Sequence, residues 1–260
     1  MFDDPIDLTH ARILISNDDG IDAPGLSLLE TVARSLCGDV WVVAPEQEQS
    51  GAGHSLTLRR PLRIRKLDEK RYAVDGTPTD CVLLAIKFIM KEARPSLVLS
   101  GINAGGNLGE DITYSGTVAA AMEATLLGVP AVALSQHYAR PNGPRWETGE
   151  KYAVQVLRQL TAAPWPRNTL VNVNFPDVPP DFVTGVAVTR QGRRKIGDNL
   201  VERIDPRGVP YYWIGPMRDE SPSDSGTDLA AVNGGAVSVT PVLLDFTNVS
   251  ALAALSKLFA

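Results

Sequence analysis

In the stretch ILISNDDGIDAPG, residues 13–25, a short apolar run ends on two adjacent carboxylates, Asp18 and Asp19, with Gly20 behind them. Like charges side by side repel, and each carboxylate costs free energy to take out of water. A cation between them removes both penalties. Two further oxygen donors lie in polar loops: Ser50 in PEQEQSGAGHS (45–55) and Asn103 in GINAGGNLGEDITYSG (101–116). Carboxylate, hydroxyl and amide oxygens form a hard set that suits Mg²⁺, Mn²⁺ or Ca²⁺ and does not suit a structural zinc. A Mg²⁺-like ion takes few protein ligands, keeps several waters and holds substrate phosphate. The competing reading of Asp-Asp-Gly is a turn with helix-capping carboxylates.

A second constellation is Ser115, Gly116 and Thr117, which open the helical run SGTVAAAMEATLLG (115–128). Free backbone N–H groups, two hydroxyls and the helix dipole make an anion site there, and Gly116 leaves room for phosphate oxygens. The plainer alternative is that Ser115 only caps the helix. AGGNLG (104–109) resembles a dinucleotide-binding glycine pattern, but its glycines do not open the helix, as that motif requires. The chain contains no G-x-x-x-x-G-K-[ST] phosphate loop, and neither His54 nor His137 sits in a nucleophile-elbow motif.

These residues need a frame that brings distant loops together. RILIS (12–16) reads as a buried strand, APGLSLLETVARSL (23–36) as a helix and DVWVVAP (39–45) as a second strand. A β-α-β order of this length signals a parallel sheet. LTLRRPLRIRKL (56–67) and KRYAVDG (70–76) suggest a hairpin-like excursion. TPTDCVLLAIKFIM (77–90) reads as a helix capped by Thr77, with Pro78 and Asp80 in its first turn and a buried stripe of Cys81, Leu84, Ala85, Phe88 and Ile89. Strands follow at 95–101, 129–135 and 169–176, with helices at 115–128 and 146–160. Past residue 177 short β-like runs, VTGVAVTRQ and VPYYWIG, alternate with Gly, Pro, Asp and Arg; a polar loop at 219–228 precedes AVSVTPVL (236–243) and a last helix at 249–259.

The expected architecture is α/β, a Rossmann-like three-layer sandwich with a mostly parallel sheet. Residues 1–11 form a short extension, and 12–260 form one domain: a core over 12–176 and a C-terminal β/helix portion over 177–260 that serves oligomerisation. In open parallel sheets ligands bind beyond the carboxyl ends of the strands. The loops carrying Asp18 and Asp19, Ser50, and Asn103 all begin at such ends.

Composition narrows the function classes. The chain has 260 residues, a formal net charge of −5 and a charged fraction of 21%. It lacks the basic footprint of a nucleic-acid groove. Its two cysteines, Cys37 and Cys81, fall in apolar helical patterns away from C-x-x-C spacing, which points to buried thiols. MFDDPIDLTHA carries acids where a signal peptide carries bases, and no apolar run is long enough for a membrane helix, so the expected location is cytoplasmic.

ILISNDDGIDAPG, QSGAGHSLTL (49–58), GTPTDCV (76–82), SGINAGGNLGEDITYSGTVAAAMEA (100–124), VNVNFP (171–176) and TDLAAVNGGAVSVTPV (227–242) together resemble the survival protein SurE family of metal-dependent nucleotidases. The resemblance implies a Rossmann-like fold and hydrolysis of nucleoside monophosphates at 5′ or 3′ positions. It also implies one divalent metal, Mg²⁺ or Mn²⁺, per subunit, and homodimers or homotetramers built partly by exchanged C-terminal segments. Carried over residue by residue, it makes Asp18, Asp19, Ser50 and Asn103 the metal ligands, and Asn107, Ser115, Gly116 and Thr117 the phosphate-cradling stretch. Selectivity carries over poorly, because the family varies across 189–226. The implied chemistry is direct attack by water, oriented or deprotonated by Asp18 or Asp19. The D-x-D spacing of aspartyl-phosphate enzymes is absent, since position 20 is Gly. Rival readings are a nucleotide-binding regulatory protein without turnover and a dinucleotide-dependent oxidoreductase.

Overall fold

Apolar runs bounded by Gly and Pro become strands, and the amphipathic runs between them become helices. The computed structural model describes residues 2–139, 143–194, 199–215 and 224–259. In chain order the strands are β1 (Phe2–Asp3), β2 (Arg12–Ser16), β3 (Asp39–Pro45), β4 (Ile64–Asp68), β5 (Arg71–Val74), β6 (Leu97–Ala104), β7 (Ala131–Gln136), β8 (Trp165–Pro166), β9 (Thr169–Phe175), β10 (Val186–Val188), β11 (Asn199–Ile204), β12 (Pro210–Gly215) and β13 (Val237–Leu243). The helices are α1 (Pro24–Leu36), α2 (Pro78–Leu84), α3 (Gly116–Leu126), α4 (Trp146–Thr161), α5 (Asp228–Asn233) and α6 (Val249–Ser256).

Nine strands form one sheet in the order β10-β13-β9-β7-β6-β2-β3-β5-β4. The run from β9 to β5 is parallel throughout, while β13 and β4 lie antiparallel to β9 and β5. Alternation along β2 sends Ile13 and Ile15 to the face covered by α1 and α4, and Leu14 to the face covered by α2 and α3. This is the expected α/β three-layer sandwich. The chain steps from β2 to β3, then returns to set β6 on the other side of β2. That reversal is a topological switch point, where a crevice opens beyond the strand ends. Packing there is close: a Cβ on Gly25 of α1 would lie 1.9 Å from the Ile102 carbonyl oxygen on β6.

Local chemistry explains the helix ends. Thr77 and Asp80 form a reciprocal capping box at α2. The helix then widens into a π-turn over Ala85–Ile89, with Met90 N–H donating to the Ala85 carbonyl. The extra residue in that turn rotates the expected buried stripe. Phe88 is 71% exposed, and Ile86 and Met90 are buried in its place.

Two further expectations change. Part of the N-terminal extension is tied down: β1 pairs with β8, Arg167 Nε donates to Asp3 at 2.6 Å, and Ile6 N–H donates to the Thr161 carbonyl. The core does not stop at 176 either, because β13 and β10 extend the main sheet beyond β9. Their short apolar runs follow an irregular tract, which hides the continuation of the sheet from local pattern reading. What stands apart is the β11–β12 hairpin, a separate two-stranded sheet, and α6, where no residue is buried. Of the polar loop expected at 219–228, residues 219–223 lie outside the described residues. Among the described residues no helix is long and apolar enough to cross a membrane.

Candidate active site

β2 delivers Asp18 and Asp19 to the switch point, and β6 delivers Asn103 beside them. Asn17 turns the chain, with Nδ2 donating to the Gly20 carbonyl at 2.9 Å. Asp18 is 4% exposed. Its carboxylate meets the N-terminus of α3, where Thr117 Oγ1 donates to Oδ1 at 2.5 Å and the Gly116 and Thr117 amides add hydrogen bonds. Gly116 makes this approach possible: a Cβ there would stand 2.7 Å from Asp18 Cβ and 2.9 Å from Oδ2. Ser115 caps the helix, its Oγ accepting from Val118 N–H at 3.1 Å. The helix terminus read from the sequence as an anion site is therefore seated on an anion of the chain itself.

Burial pushes the Asp18 carboxyl above its ordinary range, against the pull of the Thr117 hydroxyl and the helix amides. Asp19 is raised to about 6 by burial first and by the neighbouring Asp18 charge second, while Ala104 N–H, 3.3 Å from Oδ2, opposes the shift. Two carboxylates held this way are short of positive charge. Nearby, Ser50 Oγ donates to Glu48 Oε1 at 2.8 Å, and Asn103 Nδ2 donates to the Gly105 carbonyl at 2.8 Å, which orients the amide. No cluster of three or more His, Cys, Asp or Glu fit for a metal occurs among the described residues. Two carboxylates with hydroxyl and amide oxygens fit a hard divalent cation that completes its shell with water.

A raised carboxyl favours the folded state while protonated, so the Asp19 contribution is complete below about pH 4 and is lost as pH rises through 6. In metal-free protein, Asp19→Asn is expected to melt above the wild type at pH 7.5 and level with it at pH 4. Thermal unfolding at the two pH values checks this; an equal difference at both would rule out the ionised carboxylate as its source.

Asn107 is held by a buried clamp. Its N–H donates to Asn174 Oδ1 at 2.8 Å, and its carbonyl accepts from Asn172 Nδ2 at 2.8 Å and Asn174 Nδ2 at 3.1 Å. Its own Nδ2 donates to Ser135 Oγ at 2.7 Å. Two asparagines inside a fully buried strand are costly unless paired, and this pairing fixes the loop after β6.

Asp18, Asp19, Ser50, Asn103, Asn107 and Ser115 line one cavity of about 940 Å³. Gly116 and Thr117 stand behind Asp18. Tyr114, Tyr138, Trp146, Leu200 and Ile214 line the same cavity and add aromatic and aliphatic surface to the oxygen donors. Sequence reading missed Glu48, Asp111 and Arg194, which also line the cavity. It missed Asp228 too, which bonds the Gly109 and Gly192 amides. The TDL and VNVNFP motifs were visible, but their partners lie too far along the chain for spacing to reveal them.

Residues 13–198 match the family model of survival protein SurE. The chain is 60% identical over 253 residues to a 5'-nucleotidase SurE of Paramagnetospirillum magneticum, covering 97% of each chain. It is 54% identical over 263 residues to the 5'-nucleotidase SurE of Rhodospirillum rubrum, covering 100% of both. Its structure superposes on the SurE protein from Aquifex aeolicus with a TM-score of 0.84 at 44% identity, covering 96% of this chain and 100% of that one. With the acidic pair at the switch point and this likeness along nearly its whole length, the chain belongs to the survival protein SurE family.

Proposed function

We propose that this protein is a metal-dependent 5′-nucleotidase, hydrolysing nucleoside 5′-monophosphates, and 3′-monophosphates as a second class, to nucleoside and phosphate. The observation that carries it is the convergence of Asp18, Asp19, Ser50 and Asn103 in one cavity that aromatic and aliphatic side chains also line. A phosphate monoester meets the oxygen donors, and a nucleoside fills the rest. The names of the relatives support the same activity.

Asp18, Asp19, Ser50 and Asn103 would hold one divalent cation, Mg²⁺ or Mn²⁺, which supplies Lewis-acid charge neutralisation when bound. Asp18 is held in place by the Thr117 hydroxyl and by the Gly116 and Thr117 amides. Asp19 orients the attacking water and accepts its proton. Asn107, clamped through its backbone, and Ser115 steady the phosphoryl group in transfer. The C-terminal portion serves oligomerisation as a homodimer or homotetramer. The support is the exposed apolar side chains of the hairpin, Leu200, Tyr212 and Ile214 on one face and Trp213 on the other, with Val249, Leu252 and Leu255 on α6. Free, buried Cys37 and Cys81 agree with a reducing, cytoplasmic setting.

Phosphate release from a panel of 5′- and 3′-nucleoside monophosphates, with metal-stripped protein and then with Mn²⁺ or Mg²⁺ restored, tests the activity. The expected result is release only with metal. No release with either ion would leave nucleotide binding without turnover as the better reading.

A further inference from the structure

The cavity has an unbalanced charge. Asp18 and Asp19 offset a dication, yet Glu48 and Asp111 also line the wall that a phosphate monoester dianion must enter. Arg194 is the one basic side chain among the described lining residues.

Its placement is built with care. Arg194 Nε donates to Asp111 Oδ2 at 3.1 Å, and Nη2 joins the same oxygen. Asp111 is buried, and the Arg194 side chain is 14% exposed. Burying an ion pair costs desolvation, and apolar residues of similar volume are often no less stable than a buried pair. The segment that carries Arg194 is stapled to the loop after β6. Asp228 accepts from Gly109 N–H at 2.9 Å and Gly192 N–H at 2.8 Å, Gln191 Nε2 donates to the Gly109 carbonyl at 3.1 Å, and Arg194 N–H donates to Glu110. Space is closed as well: a Cβ on Gly192 would lie 2.8 Å from Asp228 Oδ1. The Asp111 carbonyl in turn accepts from Ser115 N–H at 3.0 Å, one residue before the helix end that seats Asp18. Arg194 is thus fixed to the turn that leads into α3, whose N-terminus seats Asp18.

We propose that Arg194 binds the phosphoryl group of the substrate and supplies the positive charge that the acidic cavity otherwise lacks. This rests on the nucleotidase reading above. Arginine suits the task because its charge does not titrate and its planar fork can serve Asp111 and an anion together.

The test compares wild type, Arg194→Gln and Arg194→Lys by calorimetry, first with Mn²⁺ alone and then with inorganic phosphate in saturating Mn²⁺. Mn²⁺ affinity is expected to stay equal in all three. Phosphate affinity is expected to fall about tenfold or more in Arg194→Gln and less in Arg194→Lys, with KM for a nucleoside monophosphate and for a plain aryl phosphate rising together. Unchanged phosphate affinity in Arg194→Gln, with wild-type turnover intact, would overturn the role of Arg194 alone. A parallel loss of Mn²⁺ binding would also overturn it, by showing a structural role. Failure of wild type to bind Mn²⁺ or to release phosphate would overturn the nucleotidase reading itself, and this proposal with it. If Arg194→Gln does not fold, Arg194→Lys decides by the same measure.

Discussion

Asp18→Asn is expected to lower metal-stimulated phosphate release by about 10²- to 10³-fold, the scale of losing one preorganised electrostatic contact to the transition state. The metal-free variant is expected to be no less stable than wild type near neutral pH. Burial is the first cause of the raised Asp18 carboxyl, so the ionised form is held there against its preference. A neutral isostere relieves that penalty and keeps one oxygen to accept from Thr117 Oγ1. Activity and stability should therefore part company, as expected of a residue retained for function at a cost to the fold. Calorimetric melting of stripped protein beside phosphate release with Mn²⁺ provides the check. A marked drop in melting temperature with turnover preserved would make Asp18 a structural cap for α3 and nothing more.

Gly116→Ala is expected to cost stability and activity together. Alanine at the start of a helix usually helps by up to about 1 kcal/mol, through backbone entropy. Here the added methyl meets Asp18 Cβ at 2.7 Å and Oδ2 at 2.9 Å, in contact with the stem of a short, buried side chain that cannot swing aside. Overpacking of this kind costs about 1–3 kcal/mol and should exceed the entropic gain. Relief requires α3 or the turn after β2 to move, and a displacement near 1 Å at a reacting site costs about 10²-fold in rate. Purified Gly116→Ala with the wild-type melting temperature and the wild-type rate would show that the spacing between Asp18 and α3 is slack.

The parts of this molecule legible in the sequence were those set by local pattern. RILIS and DVWVVAP are apolar runs too short for helices, and the periodic stretch between them fits only a crossover. Asp18, Asp19 and Ser50 follow strands and Asn103 lies at the carboxyl end of β6, and they could be grouped because parallel strands deliver those ends to one edge. Features that depend on distant partners stayed hidden. Asp228 reaches Gly109 across 119 residues, and Arg194 reaches Asp111 across 83. No spacing rule connects such pairs. Phe88 was assigned to a buried stripe because period counting assumes a constant helix, and the π-turn breaks that assumption. Ser115–Thr117 read as a ligand site because an anion at a helix end is good physics. The sequence could not say that Asp18 would be that anion.

The position of β13 bears on the order in which the protein becomes competent during synthesis. All four candidate metal ligands have been synthesised by residue 103, yet Asp228 and β13 come last among the elements that bear on the cavity and the main sheet. Until they arrive, β9 presents an unpaired edge and the Gly109 loop lacks its tether to Gly192. A product of interrupted translation therefore carries the acidic pair without the wall that completes the cavity. It offers an open edge to chaperones and proteases, so the wall of the cavity is complete only once Asp228 and β13 have been made.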